Sequence, residues 1–483
     1  MSLFKPVLIP LLALAGSAAA AALDWNSFIS YDNEFVPPEY LLAKPWEKNN
    51  DLIDAAQSVI SWADTVSKQG PWSVTQKPFT ASTGDKHDYM SWAPYWWPDC
   101  SKVGNTTELT PEQIWKTCPY VNRDGQFVPD VRQINDTGSY AAVCDAVFYT
   151  SVAWSITNDN KYADRAIEYI RTWFLNNDTY MNPNLVYSQV IRGPPGTQEG
   201  SHYGILDLKT TSKILTGILL FRKTNYTGWT QQDDAGMVDW SKRMINWLET
   251  YHFGQEEMTT PNNHGSYSFN TMAAFQLIAN QPDEAKRYLG IYFDGIYQNQ
   301  IDAEGEQPFE VHRSRLYHYR AYGAGANIIN NKLAAYVGYD GWGHPTKAGT
   351  TVQNAVDHAM QYDPAATNEI KSAPAEELYQ HVAAVAGHYG DTDGKYAAYL
   401  AKVQPNYPQS PFFLWNQPLA LPANYKVSGS IAGAASGSNT STSGGASGTD
   451  KADTPGGAAA SMFSTYSALP LLGAALAGLQ LFW

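Results

Sequence analysis

The sequence predicts an all-α fold of stacked helical hairpins, closing into an (α/α) toroid of roughly six or seven pairs with long aromatic-rich loops. Three observations carry this. Apolar residues recur at three- and four-residue spacing through most of positions 51–402. No regular apolar–polar alternation of the kind a half-buried strand shows runs anywhere in 23–425. Neighbouring periodic stretches are separated by polar turns such as Thr157-Asn158-Asp159-Asn160, an arrangement suited to antiparallel helices.

Taken in order, the first helix is expected over Asp51–Ser67, where Leu52, Ala55, Ala56, Val59, Ile60 and Ala63 share a face. Positions 72–129 then lack helical period and are dense in Pro, Gly and aromatics. A loop that long in a compact protein is more often functional than idle. Within it, Trp96 and Trp97 offer a wall for a sugar cleft with Lys86 and His87 beside a carboxylate, or else rings that pin a surface loop. Helices are expected over Tyr140–Ile156 and Lys161–Trp173, followed by an irregular stretch, Asn182–Gly204, that holds Arg192. The pattern resumes over Leu206–Lys223, Asp234–Tyr251, Tyr267–Asn280, Asp283–Asn299, Leu316–Val337, Ala348–Met360, Pro374–Gly387 and Gly394–Lys402.

Both ends of the 483-residue chain differ from its middle. Residues 1–22 carry Lys5, an apolar run from Val7 to Leu14 and then small residues, the layout of a secretory signal peptide; the apolar core is short for a membrane span. Residues 426–457 are almost entirely Gly, Ala, Ser and Thr, a flexible linker that cannot build a core. Residues 458–483 end in an uncharged apolar tail, which with small residues around Gly456 matches a glycolipid-anchor signal. The expectation is one large domain over 23–425, secreted, monomeric, and tied to the membrane only through a C-terminal lipid. Sequons at Asn105, Asn135, Asn177, Asn225 and Asn439 suit such a surface protein. Of the three cysteines, Cys100 and Cys118 are placed to close one irregular loop, and Cys144 is either buried in a helix or an alternative partner.

A formal charge of −14 argues against nucleic acid as a bulk partner. It does not exclude a small acidic ligand, since a few local arginines suffice for a carboxylate. The 16 tryptophans and 31 tyrosines suit sugar-stacking faces as well as an aromatic-rich core.

Two stretches gather chemistry. Pro261-Asn262-Asn263-His264-Gly265-Ser266-Tyr267 offers amides, an imidazole and a phenol before a helix expected to begin near Ser266, where unpaired backbone donors favour an anion. Asn263 serves equally well there as a simple helix cap. Gln307 to Tyr319 supplies Arg313, Arg315, Tyr317 and Tyr319. If the chain is helical from Val311, Arg315 shares a face with Tyr319 and Arg313 with Tyr317, and periodicity does not say which pair faces a cleft. Such groups fit elimination across a uronic acid linkage. Amide and guanidinium neutralise the carboxylate so that the neighbouring carbon acid ionises, while imidazole and phenol move protons. Two rivals remain. A hydrolase needs a pair of carboxylic residues, and among Asp302, Glu304, Glu306 and Glu310 no pair stands out. The other is a sugar-binding scaffold without activity. Those carboxylates, and His312 with His318, lack recognisable metal-ligand spacing, so neither metal nor cofactor is expected.

The segments Asp88-Tyr89-Met90-Ser91-Trp92-Ala93-Pro94-Tyr95-Trp96-Trp97-Pro98, Asn262-Asn263-His264-Gly265 and Gln307-Pro308-Phe309-Glu310-Val311-His312-Arg313 through Tyr319 resemble, in this order, the motifs of the alginate lyase superfamily, over about Pro37 to Leu400. The likeness is nearest to a secreted branch of glucuronan and alginate lyases with fungal members. The resemblance implies an (α/α) toroid and metal-independent β-elimination of an acidic polysaccharide, a polyuronate. It implies catalytic roles for Asn263 (carboxylate neutralisation), His264 (charge or base), Arg313 and Tyr319 (proton donor to the leaving oxygen), with Lys86, Trp96 and Arg192 at binding subsites. The spacing from Arg313 to Tyr319 departs by one residue from one branch of the family, which keeps Tyr317 as a substitute.

Overall fold

The structure is a computed structural model and describes residues 33–104, 108–194, 199–365, 369 and 375–429. The expected signal segment 1–22, the sequons at Asn105 and Asn439, most of the linker and the anchor segment 458–483 lie outside the described residues.

The helices are α1 (Pro38–Ala43), α2 (Ile53–Val66), α3 (Pro111–Thr117), α4 (Asp136–Thr157), α5 (Asn160–Ile170), α6 (Thr211–Thr224), α7 (Gln231–Thr250), α8 (His252–Glu257), α9 (Asn263–Ile278), α10 (Pro282–Asp294), α11 (Leu316–Tyr336), α12 (Val352–Ala359), α13 (Tyr379–Tyr389), α14 (Lys395–Val403) and α15 (Pro411–Trp415). An inner series runs α2, α4, α6, α9, α11, α13, and α15 returns from α13 to α2. Outside it, α5 packs on α4, α7 and α10 on α9, α12 on α11 and α13, and α14 on α13. The sequence explains the two layers. The inner helices α4, α6, α9 and α11 are buried on nearly every face, so they show no amphipathic stripe. The outer helices bury one stripe each, such as Ala285, Tyr288, Leu289, Tyr292 and Phe293 in α10. This is the expected (α/α) toroid.

Turn chemistry sets the hairpins. Asn158 ends α4 in the left-handed region (φ 56°), and the Asp159 side chain accepts the Lys161 N–H at 3.1 Å to start α5. A reciprocal Thr230–Asp233 capping box starts α7. Most aromatic rings lie in the packed interior rather than on a sugar-binding face.

The 72–129 segment is more ordered than a loop. Among the described residues, short strands β1 (Met90–Trp92), β2 (Trp96–Pro98), β3 (Tyr120–Asn122) and β4 (Tyr187–Val190) form two pairs, β1 parallel to β4 and β2 antiparallel to β3. Three- and four-residue strands are too short for alternation to register. A Cys100–Cys118 disulfide ties β2 to β3, and Cys144 is a buried free thiol inside α4.

Asp207, buried before α6, fastens these strands to the toroid. Its carboxylate accepts from Ser91 Oγ at 2.5 Å, from the Tyr89 and Thr137 hydroxyls at 3.0 Å each, and from Gln189 Nε2 at 3.1 Å. Deeper still, Lys213 on α6 meets Asp145 on α4 at 2.6 Å with neither side chain exposed. Burial lifts the Asp145 carboxyl to about 6 despite the lysine. Lys213→Met is expected to lower unfolding stability by about 3–5 kcal/mol, read by denaturant titration, because it strands a buried carboxylate.

Candidate active site

A cleft of about 300 Å³ opens where β2, the turn after β3, the segment before α6 and the start of α9 meet; Tyr95, Trp96, Gln189, Tyr203, His264 and Arg313 are among its lining residues.

Helix α9 begins at Asn263, so Asn263 and His264 stand in its first turn and not ahead of it. The cap is Asn262, whose Oδ1 accepts the His264 N–H at 3.1 Å and whose side chain lines the cleft. Asn263 turns inward. Its backbone N–H donates to Glu310 Oε1 at 2.7 Å and its amide Nδ2 to Oε2 at 2.6 Å. One amide proton stays uncommitted, and the residue is 2% exposed. Burial holds the Glu310 carboxyl above its usual range, against the bonds from Asn263 and the charge of Arg313.

His264 Nδ1 lies 2.7 Å from Glu257 Oε1, and Glu257 Oε2 lies 2.6 Å from His202 Nδ1. The His264 Nε2 has no hydrogen-bond partner among the described residues, and the Tyr203 ring meets the imidazole edge-on at 5.4 Å. Gly265 permits this turn: a Cβ there would stand 2.1 Å from the Thr260 carbonyl oxygen. Gly265→Ala is expected to shift His264 and lower kcat about 10²-fold, measured beside melting temperature.

Arg313 reaches over Tyr319. Its Nη2 donates to the Tyr319 hydroxyl at 2.6 Å and to Asp124 Oδ1 at 2.9 Å, and the guanidinium stands 4.0 Å over the phenol ring. Burial works against that charge, but Tyr319 and Asp124 outweigh it and keep the arginine's pKa above its ordinary value. Helix α11 starts at Leu316 and not at Val311, so Arg313 acts from the preceding turn. Tyr319 and Arg315 are buried behind the cleft-lining residues Tyr95 and Arg313, with the Tyr95 hydroxyl 3.4 Å from Arg315 Nη2. Tyr317 packs into the main core, where burial, with Tyr399, Tyr379 and Glu377 nearby, pushes its phenol far above its usual value.

The other candidates divide. Trp96 lines the cleft, whereas Trp97, on the opposite face of β2, donates to the Gln126 carbonyl beneath Arg123. Tyr267 sits below the cleft, its hydroxyl on the Tyr322 carbonyl at 3.2 Å. Arg192 forms two bonds to Asp130, at 2.7 and 2.9 Å, and stacks 3.9 Å from the Trp92 ring, bracing the wall from outside the cleft. His87 stacks on Tyr180 and the Lys86 ammonium points to the Asp178 carbonyl, so neither lines the cleft. Sequence reasoning missed Glu257, His202, Tyr203, Asp124 and Gln189. The last sits at φ 48°, a costly backbone held by Asp207, and no pattern in the sequence marks it.

Among the described residues no three His, Cys, Asp or Glu side chains converge as holding a metal ion would require. A family described as "Alginate lyase" matches residues 73–370. An alginate lyase from Bacteroides ovatus superposes with a TM-score of 0.68 at 26% identity, over 78% of this chain and 97% of that one. Alginate lyase A1-III from Sphingomonas species A1 gives a TM-score of 0.44 at 12% identity, over 77% of this chain and 99% of that one. No curated protein sequence shows significant similarity.

Proposed function

This chain belongs to the alginate lyase family of polysaccharide lyases, and from that membership we propose that it cleaves a polyuronate, glucuronan or alginate, by metal-independent β-elimination. The observation that supports this best is the Arg313–Tyr319 contact on the cleft that His264 also lines. A uronate carboxylate beside Arg313 loses the charge that makes its C5 proton weakly acidic; Asn263, expected to share that task, is instead buried against Glu310 and is not among the residues lining the cleft. A base takes that proton and the electron pair forms the C4=C5 double bond. The C4–O bond breaks, and the leaving oxygen receives a proton from Tyr319. Where the C5 proton and the leaving oxygen lie on one side of the ring, as in mannuronate, Tyr319 serves for both. Where they lie on opposite sides, as in guluronate, His264 Nε2 supplies the base; glucuronate, which differs from mannuronate only at C2, falls with the same-side linkages. The rings of Trp96 and Tyr203 provide faces for flanking sugars.

The lining does not favour hydrolysis. Among the described residues Asp124 is its only carboxylate, and it is held by Arg313. A panel of glucuronan, polymannuronate, polyguluronate and mixed alginate, followed by the ultraviolet absorbance of the new double bond, tests the proposal. Absorbance is expected with at least one polymer and is expected to persist after chelation. Binding to the polymers without any absorbance would reject it. The composition of 1–22 and 426–483 and the Cys100–Cys118 bridge support a secreted, lipid-anchored location. Release from intact cells by a phosphoinositide-specific phospholipase is the expected outcome.

A further inference from the structure

A carboxylate with no solvent exposure stands between two histidines at the edge of the cleft. Glu257 closes α8, and its two oxygens meet His264 Nδ1 at 2.7 Å and His202 Nδ1 at 2.6 Å. The Thr260 hydroxyl is 3.4 Å from Oε2. An ionised carboxylate only accepts hydrogen bonds, so each facing Nδ1 carries a proton. The two rings differ at their other nitrogen. His202 Nε2 lies 3.2 Å from Glu256 Oε1, so both of its nitrogens face carboxylates. His264 Nε2 has no protein acceptor among the described residues, and its ring lines the cleft.

We propose that Glu257 is a positioning residue that fixes His264 as the Nδ1–H tautomer with a bare Nε2 toward substrate, and that His202 is the buried carboxylate's counter-cation. The inference deepens the lyase reading above and rests on it for the use made of that Nε2. A lone buried carboxylate facing a neutral imidazole is costly, and a second, charged imidazole offsets the cost. The surroundings agree. Burial lowers the His202 pKa, but Glu257 and Glu256 overcome it and hold it above the usual histidine value. Burial likewise opposes ionised Glu257, but the two histidines, whose hydrogen bonds it accepts, bring it below its usual value, a shift that does not by itself distinguish which ring carries the charge. The other charged groups near His264 are Glu310, which feels the imidazole, and Arg313, which lines the same cleft.

Nitrogen-labelled histidine NMR tests this directly. In the parent protein near neutral pH, His264 is expected to show a protonated Nδ1 and a bare Nε2, and His202 two protonated nitrogens. In Glu257→Gln the His264 tautomers are expected to mix while kcat falls about 10²-fold, with KM changing far less. His202→Gln keeps the carboxylate but removes its cation, so Glu257 takes up a proton at higher pH. The acid-side loss of kcat should then move upward in pH. An Nε2–H tautomer in the parent, or Glu257→Gln that loses only melting temperature with tautomer and kcat intact, would overturn the proposal. Should Glu257→Gln not fold, the parent tautomer and the His202→Gln pH profile still decide. A parent that cleaves no polyuronate yet shows the expected tautomer would sink the lyase reading and leave this one standing.

Discussion

Tyr319→Phe is expected to lower kcat on the preferred polyuronate by about 10³-fold or more, with KM nearly unchanged. The substitution removes one hydroxyl and keeps the ring, which is 3% exposed and packed with Tyr322 and Leu206, so the fold should tolerate it. That hydroxyl oxygen accepts from Arg313 Nη2 at 2.6 Å, which leaves the phenol's own proton for the leaving oxygen. Without it, the leaving oxygen departs unprotonated, and in a same-side linkage the base is lost as well. The contrast is Tyr317→Phe. Its phenol lies in the toroid core beside Tyr399 and Tyr379, and kcat should change by less than about threefold, with any cost appearing in stability. Equal losses in the two variants would reject the assignment of Tyr319.

Arg313→Ala carries the second large effect, a loss of kcat/KM of about 10²–10³-fold. The guanidinium is asked to do two things: balance the uronate carboxylate and hold the Tyr319 hydroxyl. Lysine keeps the charge but not the fork that touches Asp124 and Tyr319 together. Arg313→Lys should therefore recover only part of the loss, and steady-state kinetics on one defined oligouronate measure both variants. Full recovery by lysine would mean that charge alone matters and that the contact with the phenol is incidental.

The outer helices were legible because burial of one face imposes a period, and the inner ones because long runs of small and apolar residues pass without a proline or a strand-like alternation. Their ends were less so. Asn262 and Asn263 are equal as caps on paper, and only the turn of the backbone at Asn262 assigns the cap to it. The strands escaped notice because three or four residues cannot display alternation. At the site, His264, Arg313 and Trp96 could be read from residue type and order, and the structure brings them to one cleft. Arg192 illustrates what a sequence cannot carry. The family resemblance implied a subsite for it, yet Asp130, 62 positions away, holds it bidentately within the wall. Glu257 illustrates the converse. In a Gln255-Glu256-Glu257 run it looks like a solvated face, and only the arrival of His202 from another loop makes it part of the site. Choosing between Tyr317 and Tyr319 likewise depended on the turn that carries Arg313, which begins outside the helix.

Bond cleavage by elimination adds no water, whereas hydrolysis adds one, so digestion in heavy-oxygen water followed by mass spectrometry of the fragments separates them at the scissile bond. Fragments whose new non-reducing ends are one water lighter than saturated uronate, with no heavy oxygen incorporated by cleavage, are predicted. Saturated new non-reducing ends, with the water's heavy oxygen on the anomeric carbon of the other fragment, would contradict the chemistry assigned to His264, Arg313 and Tyr319.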